Sequence, residues 1–139
     1  MYLLGFPLLL ITFAVYNVIA FLMPGVSWTG TLFSVHMVSG ADWAMSVGDL
    51  LITVAILLLA GEVMKSTRIG TRTIIDHSLS LVLFLGMLVE FLLVKATATG
   101  TFFVLLVISF VDVVAGFAVT LRSAQRDLTV EGVGGHLPT

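Results

Sequence analysis

Four polar side chains interrupt long apolar stretches of this chain, at Asn17, Asp49, Glu90 and Asp112. A carboxylate surrounded by hydrocarbon has to be protonated, paired with a cation or hydrogen-bonded. An ionised Asp at the centre of a bilayer costs about 2.5–3.5 kcal/mol on insertion scales. Side chains under that pressure are the usual carriers of protons and small cations in membranes, which makes these four the candidate proton or ion site.

Asp112 is the clearest of them, because it falls near the middle of its apolar run with no Lys or Arg within a helical turn. Thr101, Leu105, Ser109, Asp112, Gly116 and Thr120 follow one another at spacings of three and four, so they share one helix face. A small and polar stripe of this kind must face protein rather than lipid. Ser109 and Gly116 let a neighbouring backbone come close and are the candidate helix-interface residues. The structural alternative to ion chemistry is an Asp112 held by hydrogen bonds to a neighbouring helix. Glu90 belongs to a second stripe, with Asp76, Ser80, Leu83 and Met87. Counting depth along each run places Asn17, Asp49 and Glu90 at a similar level, as an outer polar cluster with Asp112 deeper.

Other chemistry finds little support. The chain has no cysteine, which excludes disulfides, thiol redox centres and cysteine metal sites. His36, His77 and His136 lack the spacing of metal or haem ligands. Neither a nucleophile elbow nor a phosphate-binding glycine loop is present. The expectation is a protein that is not an enzyme and that uses no metal or cofactor. A net charge of -2 and the lack of a basic patch exclude nucleic acid.

The elements that must position these residues are four apolar runs, each ended by a charge or a helix breaker, at about 2–23, 46–64, 77–95 and 101–122. Each is close to the ~20 residues that span ~30 Å of hydrocarbon. With 59% hydrophobic and 10% charged residues, and a mean hydropathy of +1.19, too little polar sequence remains to cover a water-soluble globule. The fold class expected is all-α, an integral membrane four-helix bundle over residues 1–126, followed by a flexible cytoplasmic tail at 127–139. The first run lacks a basic n-region and exceeds the ~7–15 residues of a signal-peptide core, so it reads as a retained helix.

Orientation follows from the cations. Lys65, Arg68 and Arg72 lie between the second and third runs, Arg122 and Arg126 follow the fourth, and the 24–45 connection has none. The positive-inside rule then gives both termini inside, in a cell inner (plasma) membrane. Glu62, Lys65, Arg68, Arg72 and Asp76 form a cytoplasmic charge cluster suited to capping and anchoring. The outer loop, with Trp28, Phe33, Val35 and Trp43, is too apolar to be solvated throughout. It is expected on the outer surface, with Thr31 to Val38 as a short interfacial helix or a strand-like flap.

Two functions fit this architecture. One is association, as a homo-oligomer or as an accessory subunit of a membrane complex, since neighbouring chains would satisfy interior polar stripes in so small a bundle. The other is a proton- or cation-coupled channel or transporter built on the intramembrane acids. The sequence favours the first.

Overall fold

The computed structural model describes residues 7–66 and 72–134. In chain order the elements are α1 (Leu9–Leu22), β1 (Thr31–His36), β2 (Asp42–Ser46), α2 (Val47–Ser66), α3 (Arg72–Leu93) and α4 (Gly100–Gly134). A single 3-10 turn at Lys95–Thr97 joins α3 to α4. Apolar stretches of 19, 20 and 27 residues make α2, α3 and α4 long and apolar enough to cross a membrane. At 1.5 Å per residue they reach roughly 28, 30 and 40 Å.

α1 is shorter than the run that contains it, at 14 residues. Its first turn closes on the Pro7 and Leu8 carbonyls, and at its other end Met23 leaves the helical region with φ -128° and ψ 63°. The ring of Pro24 disfavours a helical conformation at the residue before it, which explains that stop. The expected first five positions of this span, residues 2–6, lie outside the described residues. α4 departs in the opposite sense and runs on to Gly134, where composition places a tail from 127 onward. Arg122, Ala124, Gln125, Arg126 and Leu128 are all good helix formers, and no proline occurs before Pro138 to stop them. Residues 135–139 lie outside the described residues.

Two helices begin with side-chain caps. At α2 the Asp49 N–H donates to Ser46 Oγ at 3.1 Å while the Ser46 N–H donates to Asp49 Oδ2 at 3.4 Å, a reciprocal capping box. At α4 the Thr99 hydroxyl oxygen accepts the Phe102 N–H at 3.1 Å.

α4 is the central helix and packs along both α2 and α3, whereas α1 lies mainly against α2. Its buried residues include Leu105, Ser109, Asp112 and Gly116, four members of the stripe read from spacing. Ser80, Leu83 and Met87 are likewise the buried face of α3, with Asp76 and Glu90 half-buried at its two ends. The outward faces carry large apolar side chains, such as Val82, Leu85, Val89 and Leu92 on α3 and Val107, Phe110, Val114 and Phe117 on α4. Close approach of α2 to α4 requires Gly48. A Cβ there would lie 3.1 Å from the Trp28 carbonyl and nearer still to the Thr101 hydroxyl.

At the end of the bundle where α3 turns into α4, an aromatic cluster forms around Tyr16, which has no exposed surface. Its ring stacks on Trp28 at 4.3 Å and meets Phe102 edge-on at 4.9 Å. The Tyr16 hydroxyl donates to the Ala96 carbonyl at 2.9 Å, so the 2.7 Å contact to Thr99 Oγ1 has the threonine as donor. α1 is thereby tied to the α3–α4 turn. Tyr16→Phe keeps the ring stacking but orphans a carbonyl, and should cost about 1–2 kcal/mol. Unfolding in mixed micelles of mild detergent and dodecyl sulfate measures it, and an unchanged midpoint would show that these bonds add nothing.

Between α1 and α2 the chain forms an antiparallel hairpin, pairing Phe33 with Met45, Ser34 with Ala44, Val35 with Trp43 and His36 with Asp42. Gly40, at φ +90°, closes its loop in a conformation that other residues rarely adopt. Of the two conformations that composition leaves open for Thr31 to Val38, the strand prevails. Branched and aromatic residues at alternate positions favour it.

Candidate functional site

Asp112 projects from the buried face of α4 one turn after Ser109 and one before Gly116, and it retains 6% exposure. On α3, His77 and Ser80 sit three residues apart and meet this seam. The Ser80 side chain hydrogen-bonds Asp112. A Cβ built on Gly116 would fall 2.7 Å from Cε1 and 3.0 Å from Cγ of His77, so the imidazole lies directly on the glycine. The third wall comes from α2. Glu62 is also 6% exposed and is near enough to Asp112 for the two charges to interact.

The two carboxylates are not equally provided for. Glu62 Oε1 lies 3.6 Å from Lys65 Nζ, one turn along the same helix, and it also accepts the Leu8 backbone N–H at the start of α1. The Leu8 N–H is one of those that helix geometry leaves without an intrahelical partner, and Glu62 supplies that partner. Asp112 has no such partner at hydrogen-bonding distance among the described residues beyond Ser80. Its Oδ2 is buried with no hydrogen-bond partner, and so are Ser109 Oγ and His77 Nε2. Three unpartnered polar atoms along one α3–α4 seam are unusual, since buried polar groups are nearly always satisfied. Among the described residues, two carboxylates facing one ammonium leave a fully ionised site with one uncompensated negative charge. In a low-dielectric interior a proton or a small cation must supply the balance.

Along α3, Leu83 and Met87 separate this seam from Glu90, and along α4, Leu105 and Ile108 separate it from the aromatic cluster. Along α3 and α4 the polar groups at the two ends of the bundle are divided by apolar residues, and the buried Thr12 of α1 turns its hydroxyl onto the Leu9 carbonyl at 2.9 Å.

Of the four intramembrane candidates, the structure brings two together. Asn17 Nδ2 donates to the Phe13 carbonyl at 3.0 Å and lies 3.4 Å from Glu90 Oε2. Asp49 does not join them. It is exposed at the first turn of α2, where it serves the capping box with Ser46, because matching depth along two helices says nothing about which way each side chain turns. Asp112 stands apart from all three, on the far side of those apolar residues. Gly116 is at the α3–α4 contact, and Ser109 is buried on the same face of α4. The cytoplasmic charge set also divides. Glu62 points into the bundle and pairs with Lys65, while Asp76 is half-buried. Arg68 and the side chain of Arg72 lie outside the described residues.

Sequence reasoning assigned Glu62 to the membrane end and gave His77 and Ser80 no chemical role. A signal for Glu62 was present: it stands seven residues after Ala55 and eleven after Leu51, the buried positions of α2, hence on the same face. Among the described residues no group of three His, Asp or Glu side chains could hold a metal ion. No family model matches the chain, and neither a curated protein nor a solved structure matches it.

Proposed function

We propose that this chain is an integral membrane protein that couples the uptake of a proton or a monovalent cation at Asp112 to transport. Three helices of spanning length with apolar outward faces support the membrane reading, since a surface of Val, Leu and Phe this extensive is costly in water. One observation carries the coupling reading: a buried Asp112 carboxylate with an unpartnered oxygen, placed beside a second buried carboxylate that already has its cation. Such a pair holds one charge too many until a proton or cation joins it. Ionisable residues inside the membrane face the bundle interior or a water-filled cavity and mark ion and proton pathways.

The apolar residues between this site and Glu90 argue against an open channel and favour access from one face at a time. Association as a homo-oligomer or accessory subunit has less support. Its argument was that neighbouring chains would satisfy the polar stripe of α4, and α2 and α3 of the same chain already cover that stripe.

The test is proton counting. Detergent-solubilised protein is titrated with Na+, K+ or Li+ while a pH dye follows protons released. One of these cations should displace up to one proton per chain, and Asp112→Asn should abolish the release. Should no cation displace protons, a pH titration of the wild type must still take up more protons than Asp112→Asn between about pH 5.5 and 9, above the range in which ordinary carboxylates titrate. Identical titrations of the two proteins, with no cation response, would remove the proposal.

A further inference from the structure

The hairpin between α1 and α2 has two unlike faces. Phe33, Val35, Trp43 and Met45 fall on one side through the pairs Phe33 with Met45 and Val35 with Trp43. Phe33 and Trp43 touch edge-to-face at 6.2 Å, which places both rings on that side. The other side carries Ser34, Ala44, His36 and Asp42, the last two joined at 2.7 Å between Nδ1 and Oδ1. Alternation with this period is the pattern of a sheet with one face in water and one buried. Yet Phe33, Val35 and Trp43 each keep close to half of their surface exposed, so this chain itself does not bury that face.

We propose that the hairpin is an interfacial anchor, its apolar face set into the outer headgroup region of a zwitterionic bilayer and its His36–Asp42 face in water. The proposal rests on the membrane reading above. Placement argues for lipid as the occupant. β2 passes into α2 with no intervening residue, and the Val47 and Gly48 N–H groups donate to the Gly30 and Trp28 carbonyls at 3.1 and 2.9 Å. The hairpin is therefore held at the very end of a helix of spanning length, at the level where the bilayer surface lies. In the first two turns of α2, Leu50 and Val54 are also exposed apolar residues. Charge selects the lipid class. Residues 24–45 contain Asp42 and no Lys or Arg, so nothing there attracts anionic headgroups. Trp and Phe are side chains suited to this depth, where an aromatic ring meets both hydrocarbon and water.

The chain has no cysteine, so single cysteines can be introduced and spin-labelled without interference. Val35→Cys samples the apolar face, Ser34→Cys the polar face, and Val114→Cys the outward surface of α4. Each is reconstituted into phosphatidylcholine vesicles and its collision rates with oxygen and with a water-soluble nickel chelate are measured. The Val35 label should favour oxygen severalfold over the chelate, the Ser34 label should show the reverse, and the Val114 label should be the deepest of the three. A Val35 label open to the chelate while Val114 stays in lipid would overturn the anchor and leave the membrane reading intact. A Val35 label shielded from both reagents would overturn it too, and would place a second copy or another protein on that face. A Val114 label open to the chelate would mean that the membrane reading itself has failed.

Discussion

Lys65→Met is expected to destabilise this protein by about 3 kcal/mol or more, and adding Glu62→Gln should recover most of that loss. The Lys65 ammonium is 3.6 Å from Glu62 Oε1, with 17% and 6% of the two side chains exposed. Breaking a buried pair from one side leaves an uncompensated charge, which typically costs ~3–5 kcal/mol, whereas removing both charges is far milder. Two carboxylates share this pocket, so the loss of the ammonium leaves Glu62 and Asp112 repelling each other with no other cation beside them among the described residues. Gln keeps an oxygen for the Leu8 N–H, so Glu62→Gln removes charge without orphaning the start of α1. The four proteins of this cycle are compared by reversible unfolding in mixed micelles. A double variant no more stable than Lys65→Met would show that charge balance is not what Lys65 provides.

Gly116→Ala is expected to disrupt the site by steric means alone. The new methyl group would lie 2.7 Å from His77 Cε1 and 3.0 Å from Cγ, well inside ordinary van der Waals contact, so the imidazole must leave its position. Overpacking of this kind costs about 1–3 kcal/mol. His77→Ala removes the obstructing ring and should restore stability to Gly116→Ala, even though His77→Ala alone leaves a cavity. The same cycle tests whether His77 belongs to the ion site. If it does, both single variants shift the proton count of the wild type; if it only fills space, the count is unchanged and only stability moves.

Much of the helix-level organisation was legible in the sequence because it depends on local periodicity. Leu105, Ser109, Asp112 and Gly116 on α4, and Ser80, Leu83 and Met87 on α3, announce their inward faces through spacings of three and four, and the structure buries those residues. Capping is local as well. The Ser46 and Asp49 pair is a capping box readable from two residues three apart, yet the preceding strand and the attraction of an intramembrane cluster hid it. Hairpin formation was half legible: for Thr31 to Val38 a short helix and a strand-like flap were both open, and the partner strand and the register did not show.

The sequence by itself determined which stretches are apolar, where three of the four expected helices of spanning length fall, and which face of each of α3 and α4 turns inward, since these depend on residues within a few turns of one another. Only the tertiary structure decided which polar residues meet. Asn17 finds Glu90 while Asp49 does not, and Glu62, one residue beyond a polar-free run, turns inward to join Asp112. Periodicity gives each helix a height and an inward face but no neighbour. Partners are chosen by how helices rotate and cross, and small residues such as Gly48 and Gly116 set that by allowing close approach at particular points. The charge balance at Asp112, on which the proposed coupling depends, is therefore a property of three packed helices and of no single one.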